Sequence, residues 1–435
     1  MDGRLRAQLI GMMFLHYIAL GAWAVPAATF MISSPLIGGL GFTPIQVSLI
    51  YSTFAFSSVL APMFLGLFAD QLFAAEKLMS VLYTLMTALL IGVALWTETQ
   101  SIAIREALNQ PHYQSVVDHT FWIMLAMMQV VAFVTQMSMT LTNVISLRNL
   151  KDPRNTFGSV RLFGTVAWIV AGFVVAMLLN PISPQMFWFG AIGAASMIGY
   201  CWFLLPHTPP SGRSSTFGEL IGLPALSMLR DPSFVIFLVC AMFTSMVQQF
   251  YSLYANKFLT ELGLPRPTFI QTISQVSEVC CMALFPLAFA RCTIRQLMMI
   301  ALTCWVVRNF LFATCSPFLV VGVALPMHGI CYTFFFVVAT LYVDRHAPIH
   351  LRASAQGIWV FVTSGLGALG GNWLSATITQ AHTTPTGIEW PMVWIVPAGM
   401  AAVVLCVFAA FFREEVPPHA PGESPTVAEV ESGKT

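Results

Sequence analysis

The stretch from His207 to Pro232, HTPPSGRSSTFGELIGLPALSMLRDP, decides how the rest of the chain is read. It gathers Pro209, Pro210, Ser211, Gly212, Ser214 and Ser215, residues that interrupt helices and fill connections. Outward from it in both directions the sequence is apolar almost throughout. Runs fall at about 8–31, 44–67, 77–97, 120–147, 157–180 and 186–206 before it, and at 233–258, 267–290, 294–314, 317–343, 353–379 and 391–412 after it. Each has roughly the 20 residues needed to cross a bilayer core as a helix. Six runs stand on each side, so the spacing predicts an all-α integral membrane protein of twelve transmembrane helices in two six-helix bundles.

Composition agrees. Of 435 residues, 57% are hydrophobic and 9% charged, with a mean hydropathy of +0.78. An average soluble chain is about a quarter charged, so lipid rather than water must cover most of this surface. The net charge of +1 offers no basic excess for nucleic acid. The nine cysteines are scattered, without a CxxC pair or a metal-spaced His, and read as small core side chains. No cofactor or metal is expected.

Basic residues orient the spans. With both termini in the cytoplasm, 14 of the 19 Lys and Arg fall on the inner side and only Arg105, Lys257 and Arg266 on the outer; Arg161 and Arg308 lie within spans. That bias is the positive-inside pattern. Ala22-Trp23-Ala24 resembles a signal-peptide cleavage site, but the apolar run continues to Met31 and reads as a span. The expected units are bundles at 1–206 and 233–412, a cytoplasmic linker at 207–232 and a disordered tail at 413–435. The tail closes on Gly433-Lys434-Thr435, which lacks the upstream Gly and strand of a phosphate loop.

Ionisable groups at bilayer depth must face protein, water or a solute. Glu278 is the single acid deep in a span, joined by Arg161, Arg308, His16 and His328. In the eighth span Gln271, Gln275 and Glu278 recur at helical spacing with Ser274 beside them; Gln249, Ser252 and Asn256 do so in the seventh, Arg161, Thr165 and Trp168 in the fifth, and Gln136, Thr140 and Asn143 in the fourth. The first span offers His16 and Trp23, the tenth His328, Tyr332 and Thr333. Any single Gln, Ser or Thr also serves to hydrogen-bond helices together, and Arg308, alone on the ninth span, reads as structural. Gly367 and Gly371 form a GxxxG for close packing of the eleventh span. Amides, hydroxyls, one carboxylate and one guanidinium among aromatic rings suit a neutral, flat, hydroxyl-rich solute. No HExxH motif or paired carboxylates point to an enzyme.

Ile273-Ser274-Gln275-Val276-Ser277-Glu278, Leu297-Met298-Met299 leading to Trp305 and Arg308, Arg161-Leu162-Phe163-Gly164-Thr165, and Leu351-Arg352-Ala353-Ser354-Ala355-Gln356-Gly357 resemble the nucleoside:proton symporters of the major facilitator superfamily. Gly66-Leu67-Phe68-Ala69-Asp70 looks like that superfamily's inner-loop signature. The resemblance implies the major facilitator fold and nucleoside import with a proton by alternating access. It puts Arg161, Thr165 and Trp168 near the nucleobase, and Gln249, Gln275 and Glu278 at the ribose and central cavity. Ser252 stands where the family has Asn, His328 where it has Tyr, and Thr333 where it has Asp. Since Thr cannot titrate, Glu278 or His328 would carry the proton, or coupling is lost. The expected substrate face is therefore Arg161, Thr165, Trp168, Gln249, Ser252, Gln275, Glu278, His328, Tyr332 and Thr333. Inner-loop charges at Asp70, Arg148, Arg154 and Arg352 would latch the outward-open state through weak charge pairs. Expected partners are a nucleoside, protons and the lipid of a bacterial inner membrane, with the protein working as a monomer. An uncoupled facilitator, a carrier of another small polar solute (a sugar or a nucleobase) and a transporter-like receptor stay open on the residues alone.

Overall fold

The computed structural model describes residues 3–65, 73–150, 153–210, 218, 223–385 and 387–414. The loop signature at 66–70, including Asp70, together with Lys151, Arg213 and the closing Gly433-Lys434-Thr435, lies outside them. Helices α1 (Gly3–Ile32), α2 (Pro44–Phe64), α3 (Ala75–Ala107), α4 (Tyr113–Asn149), α5 (Pro153–Leu178) and α6 (Gln185–Phe203) precede the linker. After it come α7 (Pro232–Glu261), α8 (Pro267–Phe289), α9 (Ile294–Ala313), α10 (Pro317–Ala324 and His328–His346), α11 (Arg352–Ala381) and α12 (Trp390–Phe411). Among the described residues, ten helices are long and apolar enough to cross a membrane and the bent pair of α10 is an eleventh. The helix α11, interrupted by a π-helical segment at Phe361–Gly367, is the twelfth.

The helices begin where the sequence satisfies their free N–H groups. Thr43 and Gln46 form a capping box at α2, and Thr293 and Gln296 form another at α9. At 33 and 37 residues, α3 and α4 are about 50 and 55 Å long and reach beyond the bilayer core. Their outer turns carry Glu98, Gln100, Arg105 and Asp118, which explains why hydropathy alone placed these spans at 77–97 and 120–147.

Helix neighbours repeat with a shift of six. In the first bundle α1 packs on α5 and α6, α2 on α4, and α3 on α4 and α6; in the second α7 packs on α11 and α12, α8 on α10, and α9 on α10 and α12. Between bundles α2 meets α11 and α5 meets α8, again exchanged by a shift of six, and α1 meets α7. This is a repeated fold related by a pseudo-two-fold axis. The GxxxG does the packing expected of it. A Cβ on Gly367 would stand 2.7 Å from Ser245 Cβ, and one on Gly371 2.6 Å from Met246 Cα, so α11 lies backbone to backbone on α7.

The linker's two ends each belong to one bundle. Thr208 accepts from Ala75 N, its own N–H donates to Glu76 Oε2, and Asn149 donates to its hydroxyl. A 3-10 helix at Leu223–Arg230 instead buries Ala225 in the core of the second bundle. Arg413 and Glu414, expected in the tail, are held: Glu414 accepts from Ile294 N and Arg295 N at the start of α9, and Arg413 N donates to Ser233 Oγ.

The helix α10 is the least regular. Its two parts meet at 48° across Leu325-Pro326-Met327, and π-helical turns at Val320–Ala324 and Thr333–Val337 flank the break. Pro326 supplies no N–H, and π turns mark functional stretches of helices. Directly after the break Gly329 presses on α8: its N–H donates to Ser277 Oγ at 2.8 Å, and an added Cβ would stand 2.3 Å from Ser277 O. Gly329→Ala is therefore expected to lower the melting temperature in detergent by several degrees, since a backbone clash costs about 1–3 kcal/mol. Gly399→Ala, with open space around its Cα, should leave it unchanged. Equal melting of the two variants would refute the close approach.

Candidate functional site

The twelve helices place polar side chains at two levels. The first level is the face formed by the connections 33–43, 108–112, 179–184, 262–266, 314–316 and 382–389, called distal because it lies opposite both termini. There Thr29 donates to Asn256 Oδ1 at 2.8 Å, and Asn256 Nδ2 donates to Thr268 Oγ1 and Gln271 Oε1, each at 3.1 Å. Tyr254 donates to Pro44 O and Asn372 to Ser52 Oγ. Rings of Phe173 and Phe269 meet edge to face, and Gly172 lets α5 close on Thr272. These contacts seal the two bundles together in their distal halves. Towards the termini α8 loses its cover, burying Thr268, Gln271, Thr272 and Ser274 and no residue beyond Ser274, while α2 stays on α11 as far as Ser58, whose hydroxyl donates to Ser364 O at 3.3 Å. The stripe read as Gln271, Gln275 and Glu278 thus divides, Gln271 serving the seal and the other two standing free of it. Asn256 likewise spends both ends of its amide on the seal.

The second level is midway along the helices. On the first bundle the Arg161 guanidinium lies 4.4 Å over the ring of Tyr17, and the Trp168 ring is 6.5 Å from that ring. Gly164 permits this, because a Cβ there would stand 2.5 Å from Tyr17 Cδ2. A cation–π contact of this kind holds a guanidinium by about 0.5–2 kcal/mol without occupying its N–H donors. Those donors stay available to a ligand. Thr165, one turn from Arg161, is partly exposed beside it.

On the second bundle Gln275 and Glu278 are partly buried, the Glu278 side chain being 16% exposed. Arg161, Tyr17 and Tyr332 all stand within electrostatic reach of Glu278, so the fifth, first, eighth and tenth helices converge on one place. Gln249 lies against Gly371, partly buried, and Ser252 is exposed with its hydroxyl on Gln248. His328 and Thr333 belong to a different environment. Both are buried inside the second bundle; His328 Nε2 is 3.9 Å from Glu278 Oε2, while the Thr333 hydroxyl has no hydrogen-bond partner. Arg308, read as structural, is wholly buried against His328. His16 and Trp23 share a small cavity inside the first bundle, where His16 Nδ1 pairs with the Tyr83 hydroxyl at 2.5 Å.

Two members were missed by sequence reading. Tyr17 carries the Arg161 guanidinium, and Tyr251 stacks on His328 with ring centroids 4.9 Å apart while donating to Ser274 Oγ. The available signal was a tyrosine hydroxyl at the centre of an apolar span, which must find a partner there.

Two pseudo-symmetric bundles, a seal on one face and an amide-, carboxylate- and guanidinium-bearing site at midplane define a secondary transporter of the major facilitator fold, not an enzyme. Residues 3–416 match the family description "Nucleoside H+ symporter", and the chain belongs to that family. It is 26% identical over 422 residues to the xanthosine permease of Escherichia coli K12, covering 92% of this chain and 94% of that one. It is 24% identical over 429 residues to the nucleoside permease NupG of the same strain, covering 94% and 96%. The crystal structure of NupG superposes with a TM-score of 0.80 over 95% of this chain and all of that one, at 24% identity.

Asn256→Ala removes the hydrogen bond to Thr29 that joins the bundles, worth about 1 kcal/mol, together with the two bonds to Thr268 and Gln271 that hold the amide in place from within the second bundle. A cysteine introduced at Gln249 in a cysteine-free background should then react severalfold faster with a bulky maleimide supplied from the distal side. Thr303→Ala, whose hydroxyl bonds only to its own helix, is the control and should not change this rate. Unchanged labelling in Asn256→Ala would remove Asn256 from the seal.

Proposed function

We propose that this protein imports nucleosides together with a proton, the distal face being extracellular, both termini cytoplasmic and the plasma membrane of a bacterium its location. One observation carries the reading: a lone carboxylate and a guanidinium, supplied by different bundles, converge at midplane among aromatic rings and amides.

The chemistry follows from the side chains. Trp168 and Tyr17 offer flat faces to a nucleobase, and Arg161 and Thr165 offer donors and an acceptor to its edge. Gln249, Gln275 and Glu278 suit a ribose diol, whose hydroxyls donate to a carboxylate and exchange hydrogen bonds with amides. Ser252 and Tyr332 flank this set, while His328 and Thr333 act from within the bundle. An ionised Glu278 attracts Arg161; a protonated one leaves the guanidinium to the base. Proton and nucleoside binding thereby support each other. The distal seal is built from neutral hydrogen bonds and small residues, weak enough to break in each cycle, and the pseudo-symmetric halves can rock to seal the other face. A single chain contains the whole site, so the monomer is the working unit.

Uptake of labelled uridine and adenosine into proteoliposomes tests this. An inward proton gradient should drive accumulation that collapses with an uncoupler. Glu278→Gln should still exchange nucleoside across the membrane but lose accumulation. If Glu278→Gln concentrates nucleoside against a gradient, the carboxylate is not the coupling group; if the unaltered protein only equilibrates it, the protein is a facilitator.

A further inference from the structure

Arg308 occupies the deepest position of any described cation. Its side chain is 0% exposed, and the rings of Trp305, Tyr251 and Phe312 cover it with centroids at 4.3, 4.6 and 5.6 Å. One guanidinium nitrogen lies 2.7 Å from His328 Nδ1; Nε and Nη2 have no hydrogen-bond partner. A guanidinium can only donate, so Nδ1 must be the bare nitrogen of the imidazole and the ring proton sits on Nε2. That N–H faces Glu278 Oε2 across 3.9 Å, one side-chain adjustment short of a hydrogen bond.

The ring cannot easily turn away. It stacks on Tyr251, whose hydroxyl donates to Ser274 Oγ at 2.7 Å, and Ser274 in turn donates to Leu325 O at 3.2 Å. Ser277 receives Gly329 N on the other side. Hydroxyls of α8 thus take up backbone groups beside the break in α10, as the lipid-embedded backbone requires, and they lock His328 in register with Glu278.

We infer that Arg308 and His328 are positioning residues for the coupling carboxylate: the guanidinium sets the imidazole as an Nε2–H donor and so aims a neutral donor, rather than a second cation, at Glu278. The inference rests on Glu278 being the coupling group. It assigns a task to two residues that the nucleoside need not touch, and it gives the second bundle a partner for Glu278 although its tenth span has Thr333 in place of an acid. The other groups facing Glu278 are Arg161 from α5, Tyr17 from α1, Tyr251 from α7, Tyr332 from α10 and Cys281 on its own helix. Among them His328 alone offers a neutral ring N–H fixed from behind by a cation.

The test compares the pH profile of uridine uptake for the full-length protein and three variants in proteoliposomes. His328→Phe keeps a ring on Tyr251 and has no nitrogen. His328→Gln can accept from Arg308 and donate to Glu278. A donor favours the ionised carboxylate, so removing it lets the protonated form persist to higher pH. His328→Phe should therefore move the midpoint about one unit alkaline, and His328→Gln should return it close to the original. Nitrogen-15 spectra, with the His328 signal assigned by its loss in His328→Phe, should show the Nε2–H tautomer. A proton on Nδ1, or an unshifted midpoint in His328→Phe while Glu278→Gln is uncoupled, overturns the inference and leaves the coupling role standing. Accumulation by Glu278→Gln overturns the coupling role itself.

Discussion

A bilayer supplies no hydrogen bonds, and everything in this molecule answers to that. Backbone groups can be satisfied only within helices, so the chain is helical from Gly3 to Phe411 apart from its connections. Where a helix breaks, it breaks inside protein: the interrupted turn of α10 at Leu325 is met by Ser274 from α8, and the Gly329 N–H by Ser277. The same rule governs side chains. Arg161 and Arg308 reach bilayer depth because aromatic rings receive their charge, with His328 as an additional polar partner for Arg308. Tyr17 and Tyr251 are therefore as much a part of the site as the charged groups they carry.

A transporter needs a structure that holds each state firmly inside each bundle and loosely between them. The distribution of contacts meets that need. Within bundles, large rings such as Trp305, Trp394, Phe234 and Phe237 are wholly buried. Between bundles the distal seal consists of Thr29 with Asn256 and Ser52 with Asn372, short polar side chains exchanging neutral hydrogen bonds, and Gln271 braces Asn256 from within the second bundle. Such bonds are worth about 1 kcal/mol each because water can replace them, whereas displacing a buried ring costs several times more. Rocking therefore breaks the seal before it disturbs either core. In the proposed mechanism the charge arrangement adds direction, since a carboxylate near a guanidinium of the first bundle and an imidazole of the second would change its attraction to both on taking up a proton.

Much of this was legible in the amino acids. Glu278 stands out as a lone acid in a span, Arg161-Leu162-Phe163-Gly164-Thr165 includes the glycine that admits Tyr17, and Gly367 and Gly371 announce the close approach of α11 to α7. Other readings needed coordinates. Gln271 and Asn256 share helical faces with Gln275 and Gln249, yet they are committed to the seal, because faces are long and the site occupies only their middle. Arg308 looked solitary on α9, since its own helix offers it only the rings of Trp305 and Phe312, and its partners His328 and Tyr251 come from α10 and α7.

The sequence by itself indicated twelve apolar helices, six on each side of the stretch 207–232, with few ionisable groups inside them. Those properties depend on local composition and helical period, which act within a few turns. The tertiary structure alone decided which polar groups meet: Arg161 with Tyr17, Asn256 with Thr29, and Arg308 with His328 beside Glu278. Such meetings join residues from separate helices, and no periodicity along one helix specifies which neighbour will supply the partner its buried charge requires.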